Sequence, residues 1–329
     1  MATIEDVASR AGVSIATVSR VMNNSYIVSE EKREKVLAAA RELQYLPSRN
    51  GPKRTENKII LVAGTSFIDD ILAGMQDKAK ECGYDIVFSY CVSRFADFQD
   101  MTMLNNGLAD GLILLNMLTG EKELHAIGER FPTVLCGEFL DFPHSFSVSI
   151  NEQKAAYEMV GHLLASGRRR IGLVLPNLGG VTHHFIRERE KGYRLALAEA
   201  GIPYDPTLCL SGEFTMESGL EAGKNFLAMR SRPDAVFCAT DSLAAGVMSA
   251  FQTAGLSIPA DMAVAGFDNM EIAMVCHPPL TTVAQPFYEI GSESVRLLMT
   301  LIREDISVGR HVMIDHQIAV RGSTVTFPS

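Results

Sequence analysis

From Lys58 to the end, short apolar runs alternate with amphipathic stretches, and that alternation leaves few folds open. Ile59-Ile60-Leu61-Val62-Ala63, Gly111 to Leu115, Thr133 to Cys136, Arg170 to Leu175, Ala235 to Ala239 and Met262 to Gly266 are nearly continuous in apolar residues. Such runs read as strands buried on both faces. Between them lie helical stretches at Asp70–Cys82, Glu121–Arg130, Asn151–Ser166, Arg187–Ala200, Ser242–Ala254 and Ile290–Arg303, with a further strand at Asp85–Tyr90 and a helix near Asp97–Gly107. Repeated β-α-β order predicts parallel sheets with helices on both faces. Around Ser147–Ile150 the pattern restarts, so two units of the same kind are expected.

Ligands of such sheets sit beyond the carboxyl ends of the strands. Four positions follow strands or begin helices where a cleft would be. Asp268 closes Gly266-Phe267-Asp268-Asn269, and Gln285 stands in Val283-Ala284-Gln285-Pro286. Arg189 precedes Gly192 at a helix start, and Phe214 follows a short strand. Carboxylate, guanidinium and amide together can hold hydroxyls, and a flat ring can stack on a sugar or base. Three of them have a plainer alternative: a loop cap for Asp268, a surface ion pair with Glu188 or the neighbours of Glu190 for Arg189, core packing for Phe214.

The first 47 residues have a different period. Thr3 can cap a helix with Asp6 three residues on, and Ile4, Val7 and Ala8 share one face. Gly12 suits a turn needing positive φ, and Val13 can plug the angle between two helices. Ser14 offers a second cap, with Val18, Val21 and Met22 facing inward. Outward on that helix stand Ile15, Ala16, Ser19 and Arg20. Small side chains let a helix lie deep in the major groove, and arginine matches the paired acceptors of guanine. Ser14 and the free N–H groups around it suit a phosphate. A third helix runs from Ser29 to about Gln44 and stops at Tyr45-Leu46-Pro47. The polar, basic stretch 48–57, broken by Gly51-Pro52, reads as a linker.

Charge separates these parts. The whole chain carries −9, but residues 1–57 carry +2 and the rest −11. The acidic part would be repelled by DNA, and a mildly basic headpiece would bind weakly in one copy, which predicts dimerisation. The six cysteines form no CxxC pair, and the eight histidines show no zinc spacing. Reduced thiols, no metal and no cofactor are expected. No apolar run reaches about 20 residues, and the opening residues hold no leader pattern, so a cytoplasmic chain without a membrane role is expected.

The pattern Val7-Ala8 … Ala11-Gly12-Val13-Ser14 … Thr17-Val18-Ser19-Arg20-Val21 resembles the headpiece of the lactose-repressor (LacI/GalR) family, and within it the cytidine-repressor branch. The resemblance covers essentially the whole chain. It implies an N-terminal helix-turn-helix headpiece (1–47), a linker (48–57) and a two-lobe, periplasmic-binding-protein-like core (58–329). Lobe 1 would take about 58–150 and 286–315, and lobe 2 about 151–285 and 316–329. It further implies a homodimeric repressor that binds operator DNA and answers to a small effector, nucleoside first and sugar second. Ile15, Ala16 and Arg20 would face bases, with Thr3, Ser14, Thr17, Ser19 and Asn23 among the other DNA contacts. Asp268, Gln285, Arg189 and Phe214 match effector positions, Asp241 an acidic position beside them, and Phe67 a stacking position in lobe 1.

The linker departs from the family pattern. Relatives carry an alanine-rich segment with a leucine that folds into a hinge helix on DNA. Here Gly51-Pro52 disfavours that helix, and no leucine occurs between Leu46 and Leu61. A flexible tether whose Arg49, Lys53 and Arg54 touch phosphates is expected instead. Two rivals stay open at this point: a soluble sugar or nucleoside receptor without a DNA role, and a hydrolase or transferase on an α/β core. The enzyme reading has little to rest on, because no P-loop, G-x-S-x-G, HExxH or GxGxxG motif occurs.

Overall fold

The computed structural model describes residues 3–22, 28–43, 57–90, 102–115, 121–139, 145–177, 184–304 and 308–325. Asn23, Arg49, Lys53, Arg54 and most of the linker lie outside them.

Three helices open the chain: α1 (Ile4–Ala11), α2 (Ile15–Met22) and α3 (Glu30–Glu42). The capping box at the start of α1 is formed. The Thr3 hydroxyl oxygen accepts from the Asp6 N–H at 3.3 Å, and the Asp6 carboxylate accepts from the Thr3 N–H at 2.8 Å. Gly12 ends α1 at φ 65°, a conformation that costs a glycine little. Val7, Ala8, Val18, Val21, Val36, Ala39 and Ala40 form a core of small side chains, with Val13 packed against it. Across the outside, Arg10 and Glu42 tie α1 to α3.

Among the described residues, twelve strands form two six-stranded sheets. The first has the order β11-β5-β4-β3-β1-β2. Its strands are β1 (Ile59–Gly64), β2 (Asp85–Tyr90), β3 (Gly111–Leu115), β4 (Thr133–Cys136), β5 (Phe146–Ser149) and β11 (Arg310–Met313). The second has the order β12-β10-β9-β8-β6-β7. Its strands are β6 (Ile171–Pro176), β7 (Cys209–Gly212), β8 (Ala235–Cys238), β9 (Ala263–Asp268), β10 (Thr281–Ala284) and β12 (Gln317–Ala319). Parallel pairing holds from β1 to β2 and to β3, from β3 to β4, and from β7 through β6, β8 and β9 to β10. The edge strand β12 departs from the parallel pattern, because it runs antiparallel to β10. A chain returning from elsewhere without a crossover helix is free to pair in that sense.

The helices of the core are α4 (Asp69–Cys82), α5 (Thr102–Asn105), α6 (Glu121–Gly128), α7 (Glu152–Ala165), α8 (His184–Glu199), α9 (Met216–Ala228), α10 (Asp241–Thr253), α11 (Glu271–Val275) and α12 (Phe287–Arg303). Of the expected helix near 97–107, residues 102–107 fall among the described ones, and Thr102–Asn105 of these are helical. The chain divides into two compact units. One holds 1–136, 141–146 and 291–310, and the other 137–140, 147–290 and 311–329. In the second unit, Phe226, Val236, Leu243, Val247, Phe251 and Val264 form the centre of the core where α9 and α10 cover the sheet. No helix among the described residues is long and apolar enough to cross a membrane.

Candidate functional sites

In the headpiece, the buried face of α2 fixes what the other face can do. Val18 and Val21 are fully or almost fully buried, which leaves Ile15, Ala16 and Arg20 exposed. Ile15 is 47% exposed, a large apolar side chain held out on a helix start. Ser14 is engaged within its own turn: its hydroxyl oxygen accepts from the Thr17 N–H at 3.2 Å and lies 2.9 Å from the Thr17 hydroxyl. Thr17 and Ser19 are half-buried, and Thr3 is committed to its capping box. The exposed strip is therefore Ile15, Ala16 and Arg20, flanked by hydroxyls.

In the second unit, four elements converge on one arginine. Arg189, on α8, is 3% exposed. Its Nε donates to Glu152 Oε2 at 2.7 Å, Nη1 donates to the Ala239 carbonyl just beyond β8, and Nη2 lies 3.5 Å from Asp268 Oδ1. The guanidinium stacks 3.5 Å above the Phe267 ring centroid and lies 4.9 Å from that of Phe185. Burial alone would lower the Arg189 pKa, but Glu152, Asp268 and Asp241 reverse this and raise it. The alternative of a surface pair with Glu188 is wrong, since Glu188 pairs with Lys191 at 2.6 Å and lies 3.6 Å from His184.

Asp268 ends β9 with φ 108°, and Asn269 follows at φ 60°. Two successive non-glycine residues at positive φ are unusual. Asp268 Oδ1 accepts from the Gln285 amide at 2.8 Å, which joins the ends of β9 and β10. Burial pushes the Asp268 carboxyl up to about 6, against the pull of Arg189 and Gln285.

Asp241 lies behind this group rather than beside it. Its side chain is fully buried; Oδ1 accepts from the Thr282 hydroxyl at 2.6 Å and Oδ2 from the Met270 N–H at 2.7 Å. A Cβ on Gly266 would meet its Oδ1 at 2.3 Å, so β9 needs glycine there. Burial, and then the Asp268 charge, raise the Asp241 carboxyl to about 7. With both oxygens taken up by its own chain, Asp241 supports the turn. Phe214 is 37% exposed with its ring centroid 6.1 Å from that of Phe185, so it is not a core residue. Phe67 belongs to the first unit, where it meets Phe88 at 5.7 Å and Tyr90 at 6.3 Å. No cluster of metal-ligating side chains occurs among the described residues.

Glu152 is the residue that sequence reasoning missed. It stands in the first turn of α7 after the Asn151 cap, and nothing local marks it as the partner of an arginine 37 residues away.

Residues 3–48 match the model of bacterial regulatory proteins of the lacI family, and residues 160–324 that of the periplasmic binding protein-like domain. The transcriptional repressor CytR of Escherichia coli K12 is 35% identical over 343 aligned positions, covering 99% of this chain and 97% of its own length. The chain belongs to the LacI family. Two solved structures of similar proteins cover nearly all of it. The transcriptional regulator CelR, in complex with cellobiose, is 29% identical with a TM-score of 0.74, over 98% of this chain and 100% of that one. The lac repressor dimer, bound to operator and the anti-inducer ONPF, is 29% identical with a TM-score of 0.72, over 99% of each. This LacI-family chain is thus a helix-turn-helix DNA-binding regulator of transcription with repressors as homologues, and the rival reading as a receptor without a DNA role falls.

Proposed function

We propose that this LacI-family protein is a cytoplasmic, homodimeric repressor whose operator binding is controlled by a small ligand bearing neighbouring hydroxyls, a nucleoside first and a sugar second. The observation that carries the reading is the buried Arg189, fixed by Glu152 and the Ala239 carbonyl with its remaining edge toward Asp268 and Gln285. A guanidinium already immobilised and desolvated loses little entropy on gripping hydroxyl oxygens, and a carboxylate beside it takes their protons as hydrogen bonds. The half-exposed Phe214, near Phe185, supplies a stacking face for a base or a sugar ring. The cellobiose complex of CelR supports a polyol-bearing effector.

On the DNA side, Ile15, Ala16 and Arg20 read base edges, with Thr3, Ser14, Thr17, Ser19 and Asn23 holding the backbone. Arg49, Lys53 and Arg54 of the linker touch phosphates. Ligand and operator are coupled by a few kcal/mol at most.

A thermal-shift screen of nucleosides and sugars tests the ligand class, because a ligand at 100 times its Kd adds about 2.7 kcal/mol to the native state. Cytidine or another nucleoside should raise the midpoint, and Asp268→Ala should abolish both that shift and the ligand's effect on operator binding. Operator affinity without ligand should stay within about twofold. A full ligand response in Asp268→Ala would move the pocket elsewhere.

A further inference from the structure

Resting on the reading that Asp268 faces the effector, we infer that Arg321, far along the chain after β12, is a positioning residue of that site. Its guanidinium spans two parts of the second unit. Nη2 donates to Asn269 Oδ1 at 2.7 Å, and Nη1 donates to the Leu280 carbonyl at 2.8 Å. The Arg321 N–H donates to the Thr281 hydroxyl at 2.8 Å, and that hydroxyl donates to the Arg321 carbonyl at 3.0 Å. Ser323 continues the anchor: its hydroxyl donates to the Val264 carbonyl at 2.6 Å and accepts from the Thr281 N–H at 2.8 Å. The base of the clamp is thus fixed to β9 and β10 before the guanidinium reaches out.

What it reaches is the strained turn. Asp268 and Asn269 both hold positive φ, and such a conformation persists only when its surroundings over-determine it. Three contacts do so. Arg321 holds the Asn269 side chain, Asp241 holds the Met270 N–H, and the Thr282 hydroxyl accepts weakly from the Asn269 N–H at 3.4 Å. Without the first, Asn269 can relax toward negative φ, and the peptide that aims the Asp268 carboxylate at Arg189 and Gln285 rotates with it. Arg321 also faces Asp241 electrostatically and opposes the rise of its pKa. Asn tolerates the left-handed region better than most residues, which makes it the natural side chain to clamp there.

The test uses full-length protein and three variants: Arg321→Met, Arg321→Lys, and Arg321→Met combined with Asn269→Gly. Amide hydrogen exchange across 267–271 is compared with that of Ala235–Cys238 in β8, without ligand, and cytidine is the binding probe. Arg321→Met should speed exchange across 267–271 at least tenfold while β8 stays within twofold, and should weaken cytidine binding at least tenfold. Arg321→Lys, which keeps a donor, should lose less. Asn269→Gly should recover much of the loss, since glycine occupies positive φ without a clamp. Unchanged exchange across 267–271, or equal acceleration in β8, overturns the inference, as does failure of the glycine to rescue. If the unaltered protein does not bind cytidine, the nucleoside reading fails by itself, and the ligand-free exchange and its glycine rescue still decide the role of Arg321.

Discussion

The headpiece and the second unit present their candidate binding groups in opposite ways. In the headpiece, the side chains proposed to face DNA stand exposed on one short helix, over a core of valines and alanines. In the second unit, the central arginine is 3% exposed and its fixed partner Glu152 7%, and the set draws on residues from Glu152 to Gln285. An exposed arginine keeps its hydration and rotamer freedom until DNA takes them away. A buried one has already lost both, and its orientation is set before any ligand arrives. The headpiece therefore gains specificity on contact, while the second unit holds its geometry as part of its own stability. Mutations should then separate the two regions: those in the second unit cost folding, and those in the headpiece cost DNA preference.

The largest effect should come from Glu152→Ala. It leaves the Arg189 charge buried without its nearest carboxylate, a class of change that costs about 3–5 kcal/mol. Urea denaturation of the core would register it, and a loss below about 1 kcal/mol would mean that Arg189 is not held as a buried ion pair. Arg20→Ala comes next, at roughly 1–3 kcal/mol of operator binding, with relaxed preference at one base pair and no change in core stability. Selection from randomised duplexes checks it; an unaltered preference would remove Arg20 from base reading.

Asp241→Asn sharpens the contrast through pH. Burial and Asp268 hold the Asp241 carboxyl near 7 in the folded protein, against about 4 when unfolded. Between those values the folded state keeps a proton that the unfolded state has released. Its stabilising share is full below about pH 4 and is lost as pH rises through 7. Stability should therefore fall from pH 5 to pH 8 by on the order of 2 kcal/mol more in the unaltered protein than in Asp241→Asn. Equal slopes in the two proteins would show that Asp241 is ionised across that range. The smallest effect belongs to Thr3→Ala, which removes a helix cap worth about 1 kcal/mol. Headpiece melting should drop while melting of the core stays put.

Legibility followed the distance over which each feature is encoded. The cap at Thr3, the turn at Gly12 and the inward stripe of Val7, Val18 and Val21 are set by neighbours three to five residues apart, so spacing alone revealed them. Apolar runs such as Ile59–Ala63 and Ala235–Ala239 exposed the strands for the same reason. The short strand β11 and the helices α9 and α11 went unread. Arg310–Met313 and Glu271–Val275 are too brief to show a period, and Met216–Ala228 is broken by Gly219 and Gly223, which let it lie close against α10. The antiparallel sense of β12 had no local mark at all.

By itself, then, the sequence determined the helix-turn-helix, the alternating strands and helices and the face that α2 turns outward, because short-range sterics and hydrophobic period act within a few residues. Only the tertiary structure decided that Glu152 would neutralise Arg189, that Asp241 would brace a turn behind Asp268, and that Arg321 would hold Asn269. Those pairings are chosen by desolvation. A charge drawn out of water must find its partner wherever the fold brings one, and no spacing along the chain records where that will be.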